Sequence, residues 1–272
     1  MDQNIFNIKD KVILITGGTG VLGSSMAKAV TNAGAKVALV GRDEAISKSL
    51  KQDLEAQGAD VLNYMADVLK PEEMDSVKTD VLQKWGKVDV LVNAAGGNMP
   101  GATVAEEGSI NDLSIEELRK VMELNYLGSV IPSQAMLETF ITQRSGHIIN
   151  ISSMSAQRPL TRVMGYSSSK AAIDNYTQWL AVELARKYGE GLRVNAIAPG
   201  FFLTKQNKTL LTNPDGTLTD RGKTIIAHTP YGRFGDPDEL TGTLIWLCSD
   251  ASKFVTGTII PVDGGFNAYS GV

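Results

Sequence analysis

Short apolar runs rich in β-branched residues alternate along this chain with longer segments whose apolar positions recur at helical spacing. Val12–Thr16 is predicted as the first strand, followed by a helix over Leu22–Ala33 that Gly34 stops. Lys36–Val40 reads as a second strand, Glu44–Gln57 as a helix closed by Gly58, and Asp60–Met65 as a third strand. Pro71 opens a helix, where its missing N–H is harmless, and that helix runs to about Trp85. Val88–Val92 is a fourth strand, and Ile115–Arg144 a long helical region with a bend expected near Pro132. His147–Ser152 is a fifth strand, Gly165–Tyr188 a helix, and Arg193–Ala198 a sixth strand. Asp238–Ser249 is a last helix and Ile259–Val262 a last strand.

Seven strands alternating with helices predict an α/β fold. The expected form is doubly wound (Rossmann-type), three layers deep, with a seven-stranded parallel sheet covered on both faces. No linker-like stretch or internal repeat divides the chain, so residues 1–272 are expected to form one domain. Residues 201–233 are the exception to the pattern: polar, with the turn Asn213-Pro214-Asp215-Gly216, and read as a small lobe covering a substrate.

Composition narrows the function classes. Net charge is −4, so no bulk basic field favours nucleic acid or an anionic membrane. The single cysteine, Cys248, sits in an apolar run and precludes an internal disulfide, which fits a reducing compartment. The N-terminus lacks a signal-peptide core and no apolar run is long enough to span a bilayer, so a cytoplasmic protein is expected. His147 and His228 are the only histidines, no metal-ligand spacing is present, and His147 is expected to be structural.

Chemistry enters at the loop Thr16-Gly17-Gly18-Thr19-Gly20-Val21-Leu22-Gly23, between the first strand and first helix. Glycines there let the backbone approach a pyrophosphate, which a helix N-terminus then favours. The cofactor is discriminated after the second strand, in Val40-Gly41-Arg42-Asp43. Gly41 cannot bind a ribose 2′-hydroxyl as a carboxylate would, and Arg42 suits a 2′-phosphate. Asp43 is expected to cap the next helix. NADP(H) is therefore favoured, with NAD(H) the alternative. Asp67 after the third strand, with Val68, and Asn93-Ala94-Ala95-Gly96 after the fourth, fall at the carboxyl ends of parallel strands, where such sheets bind ligands.

Tyr166-Ser167-Ser168-Ser169-Lys170 places a phenol and an ammonium one helical turn apart on one face. Ser153 lies thirteen residues upstream at the end of the fifth strand. Together these groups polarise and protonate a carbonyl. A surface Tyr and Lys that happen to be four apart is the bland alternative.

These motifs, in this order, resemble the short-chain dehydrogenase/reductases from end to end. The matching stretches are TGGTGVLG, Asp67-Val68, NAAG at 93–96, and Asn125 in Glu123-Leu124-Asn125-Tyr126. They continue through Ile149-Asn150-Ile151-Ser152-Ser153, YSSSK, Arg193-Val194-Asn195, Pro199-Gly200 and Asp263-Gly264-Gly265. The resemblance implies a tetrad of Asn125, Ser153, Tyr166 and Lys170, with Ser152 structural. It also implies cofactor contacts from Pro199, Gly200, Phe202 and Thr204, and a four-subunit assembly. Val21 stands where the family's TGxxxGxG pattern has a glycine, with Gly20 one position earlier, so a slightly rearranged turn is expected.

Within the family, GGNMPGAT, ISSMSAQRPLT, NAIAPGFFLTKQN, LLTNPDGTLTDRG, AHTPYGRFG and DGGFNAYSGV resemble the branch described as D-mannonate oxidoreductase or fructuronate reductase. That implies a keto sugar acid as substrate, D-fructuronate/D-mannonate, for which a cation and small polar donors are needed. Candidates are Asn98, Arg158, Arg162, Lys205 and Asn207, beside Ser153. Reduction of another ketone, of 5-keto-gluconate or 3-oxoacyl type, is the alternative enzyme reading. A cofactor-binding regulator without catalysis is the alternative outside enzymes.

Overall fold

The computed structural model describes residues 4–204 and 207–272. Its sheet contains β1 (Val12–Thr16), β2 (Lys36–Gly41), β3 (Val61–Met65), β4 (Val90–Asn93), β5 (Gly146–Ile151), β6 (Leu192–Pro199) and β7 (Ile259–Val262). All neighbours pair in parallel, in the order β3-β2-β1-β4-β5-β6-β7. The predicted seven-stranded parallel sheet is therefore present. The helices are α1 (Val21–Asn32), α2 (Glu44–Ala56), α3 (Pro71–Trp85), α4 (Ile115–Met122), α5 (Gly128–Gln143), α6 (Met164–Tyr188), α7 (Lys208–Leu211), α8 (Asp220–Ala227) and α9 (Thr241–Cys248).

Successive strand residues point to opposite faces. Val12 and Leu14 of β1 pack with Met74 and Val81 of α3, Phe140 of α5 and Leu180 of α6. Ile13 and Ile15 pack on the other face with Met26 of α1, Leu54 of α2 and Leu244 of α9. Burial on both faces is why the strands read as unbroken apolar runs rather than alternating ones.

Local signals act where expected. Asp43 caps α2, its carboxylate accepting the Ile46 N–H at 3.0 Å. Pro71 opens α3, and Gly86 closes it in the left-handed region at φ 74°.

The long helical region departs from the prediction. Its interruption falls not at Pro132, buried inside α5, but at a π-helical turn, Glu123–Leu127, between α4 and α5. Proline there removes one N–H donor just behind a point where the ladder has already changed register. The last predicted helix is also subdivided, starting as a 3₁₀ turn over Pro237–Leu240 before α9.

β1 and β4 are neighbours, while the chain winds from β1 outward to β2 and from β4 outward to β5. Their carboxyl ends therefore open a crevice at the point where the winding reverses. Between β6 and α9 the irregular segment folds into α7 and α8, tied by bridges between Thr212 and Leu218 and between Phe202 and Gly235.

Candidate active site

The crevice, about 250 Å³, runs from the loop after β1 past β2 to the end of β4. Gly17 takes φ 64°, and a Cβ on it would stand 2.6 Å from the Ala94 carbonyl oxygen. On Gly23 a Cβ would stand 2.2 Å from the Gly17 carbonyl oxygen. No larger residue fits at either position, so the loop and the first turn of α1 pack backbone to backbone. Gly20 is the N-cap of α1 in an extended conformation, and Val21 takes the first helical position. The early glycine thus serves the turn, and Val21 needs no unusual backbone angle. The first turn of α1 carries no acidic residue and no side-chain cap, which leaves its N–H groups for an anion. Thr19 and Gly20 line the crevice at this end, and Leu22, half-buried, packs against the core behind it.

Across the crevice, a Cβ on Gly41 would meet the Thr19 hydroxyl and methyl, both at 2.7 Å. Arg42 stands exposed at the edge. Val68, Ala94 and Gly96 line the crevice further along. The Asp67 carboxylate accepts the Leu69 N–H at 3.0 Å. The Asn93 side chain turns away, into the interior. Its Nδ2 donates to Ser129 O, Ser133 Oγ and Asn150 Oδ1, tying β4 to α5 and β5. A narrow, glycine-walled crevice ending on an uncapped helix N-terminus fits a dinucleotide with its pyrophosphate at α1.

Beyond Gly96 four side chains converge. Asn125 lies buried in the π turn, its Nδ2 donating to Val121 O at 2.8 Å and Gly97 O at 2.6 Å, its Oδ1 accepting the Gly97 N–H at 3.2 Å. A Cβ on Gly96 would stand 2.7 Å from Asn125 Oδ1 and 3.3 Å from Lys170 Nζ. Lys170 is buried and donates to Ile151 O at 2.8 Å, and its Nζ lies 5.6 Å from the centre of the Tyr166 ring. Ser153 opens a 3₁₀ turn, and its Oγ accepts from Ser155 N at 3.1 Å and Ser155 Oγ at 3.0 Å. With its lone pairs so engaged, the Ser153 hydroxyl turns its proton towards the Tyr166 phenol.

Burial sets the electrostatics here. Burial raises the Tyr166 phenol above its ordinary value, with the Ser153 hydroxyl working the other way. The same burial pushes Lys170 down to about 8, and the Asp174 carboxylate opposes that fall. Desolvation is the largest influence on both groups. Asp174, one turn beyond Lys170, accepts a hydrogen bond from Ser152 Oγ and is itself raised by burial. Ser152 thus links β5 to α6.

The outer candidates are used unequally. Asn98 donates to Thr103 Oγ1 at 2.7 Å, leaving a buried Oδ1 with no partner among the described residues. Arg158 is engaged with the tail, reaching Asn267 O at 3.0 Å and Asn267 Oδ1 at 3.3 Å. Asn207 is spent on its own loop, between Thr204 N and Phe202 O. Pro199 ends β6, and at Gly200 a Cβ would stand 2.7 Å from Asp263 Cα. Phe202 is buried against Gly235, and Thr204 is half-buried. Lys205 lies outside the described residues. Asp174 was discoverable, eight residues from Tyr166 on the same helical face. Arg221 on α8 reaches Thr161, in the segment between Ser153 and Tyr166. His147 is buried between Leu247 O and Asn195 Nδ2, both at 2.9 Å.

A family model described as enoyl-(acyl carrier protein) reductase matches residues 19–267. The chain is 46% identical over 275 residues to an uncharacterised oxidoreductase, UxuB, of Bacillus subtilis, covering 98% of each. It superposes with a TM-score of 0.91 on a crystal structure of a candidate D-mannonate oxidoreductase from Haemophilus influenza with bound NAD, at 40% identity and 98% coverage of both chains. A candidate NAD(P)-dependent gluconate 5-dehydrogenase from Beutenbergia cavernae, with NADP bound at low occupancy, matches at a TM-score of 0.85 and 30% identity, covering 98% and 100% of the two chains.

Proposed function

Because the chain belongs to the short-chain dehydrogenase/reductase family, we propose that it interconverts a keto sugar acid and its alcohol, D-fructuronate and D-mannonate. The observation that carries this reading is the convergence of Asn125, Ser153, Tyr166 and Lys170 beyond a dinucleotide-shaped crevice. When bound, a nicotinamide cofactor supplies or accepts the hydride. The protein's residues hold the carbonyl and move its proton. Ser153 donates to the carbonyl oxygen and fixes its direction. Tyr166, a phenol kept neutral by burial, delivers the proton during reduction and takes it back during oxidation. Lys170, cationic at neutral pH, stabilises the phenolate left behind. Asn125 closes the far side by fixing Gly97, and Gly96 keeps the space between Asn125 and Lys170 narrow.

The sugar-acid assignment draws on likeness to the candidate mannonate and gluconate enzymes. The Asn98 Oδ1, without a partner among the described residues, supports it as an acceptor for a substrate hydroxyl. We favour NADP(H), because Arg42 stands at the crevice edge while Asp43 is committed to capping α2. NAD(H) is the second reading, favoured by the NAD-bound relative. The test is absorbance at the reduced-cofactor band with D-fructuronate, 5-keto-D-gluconate and a 3-oxoacyl thioester, each with NADH and NADPH. D-Fructuronate is expected to be consumed fastest, and Tyr166→Phe to lose turnover. Turnover confined to the thioester overturns the substrate; full activity in the Phe variant overturns the acid/base role.

A further inference from the structure

Arg221 sits in the first turn of α8, half-buried, with Nη1 at 3.3 Å from Thr161 Oγ1 and Nη2 at 3.4 Å from Thr161 O. The next residue along, Arg162, has φ 77°, in the left-handed region that a long side chain rarely adopts. Both of its ends are clamped to one residue: Nε donates to Val104 O at 2.7 Å, and its carbonyl accepts the Val104 N–H at 3.0 Å. Backbone strain of this kind is retained where a side chain must be aimed. The result is that Arg221 is anchored on the residue immediately before Arg162, which brings two arginines from different parts of the chain into one neighbourhood. Burial, and then the neighbouring Arg162, depress the Arg221 guanidinium; the exposed Glu106 pulls the other way less strongly. Neither arginine forms an ion pair with a carboxylate among the described residues. Like charges held together in a partly buried place lack only an anion.

Thr161 and Arg162 belong to the segment that joins Ser153 to Tyr166, so Arg221 ties α8 to that segment. Arg162 lies four residues before Tyr166. Val104 belongs to the segment that leaves β4 through Gly96 and Gly97, which hold Asn125. Asn98 lies on the same segment. We propose that Arg162 and Arg221 together bind the carboxylate of the substrate, with Arg221 the residue that selects acids over uncharged ketones. This inference rests on the keto sugar-acid reading above. Two guanidiniums offer paired N–H donors in the geometry a carboxylate accepts.

The test uses Arg221→Gln and Arg221→Lys in the full chain, with circular dichroism confirming the fold. Arg221→Gln should raise KM for D-fructuronate about 10- to 100-fold, the range for losing a charge-assisted pair. The ratio of kcat/KM for D-fructuronate over uncharged D-fructose should fall by the same factor, and Arg221→Lys should recover part of it. The second readout does not need turnover. D-Gluconate titrated calorimetrically into NADPH-loaded protein cannot react, since both partners are reduced, and its binding should be lost in Arg221→Gln. If no keto acid is turned over, the functional reading fails, and the calorimetry alone then decides the anion site. Equal D-gluconate binding by wild type and Arg221→Gln overturns the inference. So does an equal loss toward fructuronate and fructose, which would mean only a displaced lobe.

Discussion

Replacing Lys170 with Met should stabilise the cofactor-free protein while abolishing its turnover. Lys170 is 4% exposed, and burial brings it from 10.5 to about 8. At about 1.36 kcal/mol per unit, the folded state carries a protonated Lys170 at a cost of roughly 3 kcal/mol. Met has a similar length and no charge, so that cost disappears. The hydrogen bond to Ile151 O is lost with it, which returns about 1–2 kcal/mol to the other side. The variant should therefore be about 1–2 kcal/mol more stable than wild type near pH 7. The difference must change with pH. Below about 8, native and unfolded wild type both hold the proton and the penalty is complete. Between about 8 and 10.5 the unfolded chain still binds a proton that the native state has released, so wild-type stability climbs relative to the variant. The two stabilities should cross in that window. Urea unfolding of both proteins at several pH values between about 7 and 10.5 measures it. A variant less stable at neutral pH, or a difference constant across the window, refutes the reasoning.

Asp174→Asn removes the carboxylate that opposes the fall of Lys170, so the basic limb of the kcat/KM profile should move to lower pH; an unmoved or rising limb counts against it. Arg42→Ala should lower kcat/KM for NADPH about 10- to 100-fold, as expected for losing a charged phosphate contact, and leave NADH nearly untouched. Equal losses with both cofactors would remove the argument from Arg42. Gly96→Ala puts a methyl 2.7 Å from Asn125 Oδ1, which three hydrogen bonds hold in place. It should lower kcat about 10- to 100-fold by displacing the site and cost about 1–3 kcal/mol of stability, and wild-type kcat in this variant would be the contrary result.

The β1-loop-α1 unit was legible because each of its requirements has a residue-level signature. The strand needs an apolar run, the loop needs glycine where backbones touch, and the helix needs a start. The Tyr166–Lys170 pair was legible through helical periodicity. What escaped depends on contacts between distant segments. Nothing in Glu123–Leu127 marks a π turn, whereas Pro132 marks a bend that the fold does not make there. Asn93 looks like a crevice residue by position, yet its partners lie on α5 and β5. The ionisation of Tyr166 and Lys170 follows from burial, which one-dimensional spacing does not report. Arg158 and Arg162 were indistinguishable as sequence, but one is tied to the tail and the other is clamped on Val104.

The π turn at Glu123–Leu127 is in effect one residue more than a regular helix would hold. Each residue advances an α-helix by about 100°, so α4 and α5 are out of phase by that angle. α4 uses its phase to seat Leu118 at Gly165 of α6, and α5 uses the other to seat Ser133 at Asn93. A single-residue deletion in the turn would give a longer, more regular rod that could satisfy only one of those dockings. Insertions and deletions here are therefore far less tolerable than their helical setting suggests, and Asn125 is placed by the mismatch itself.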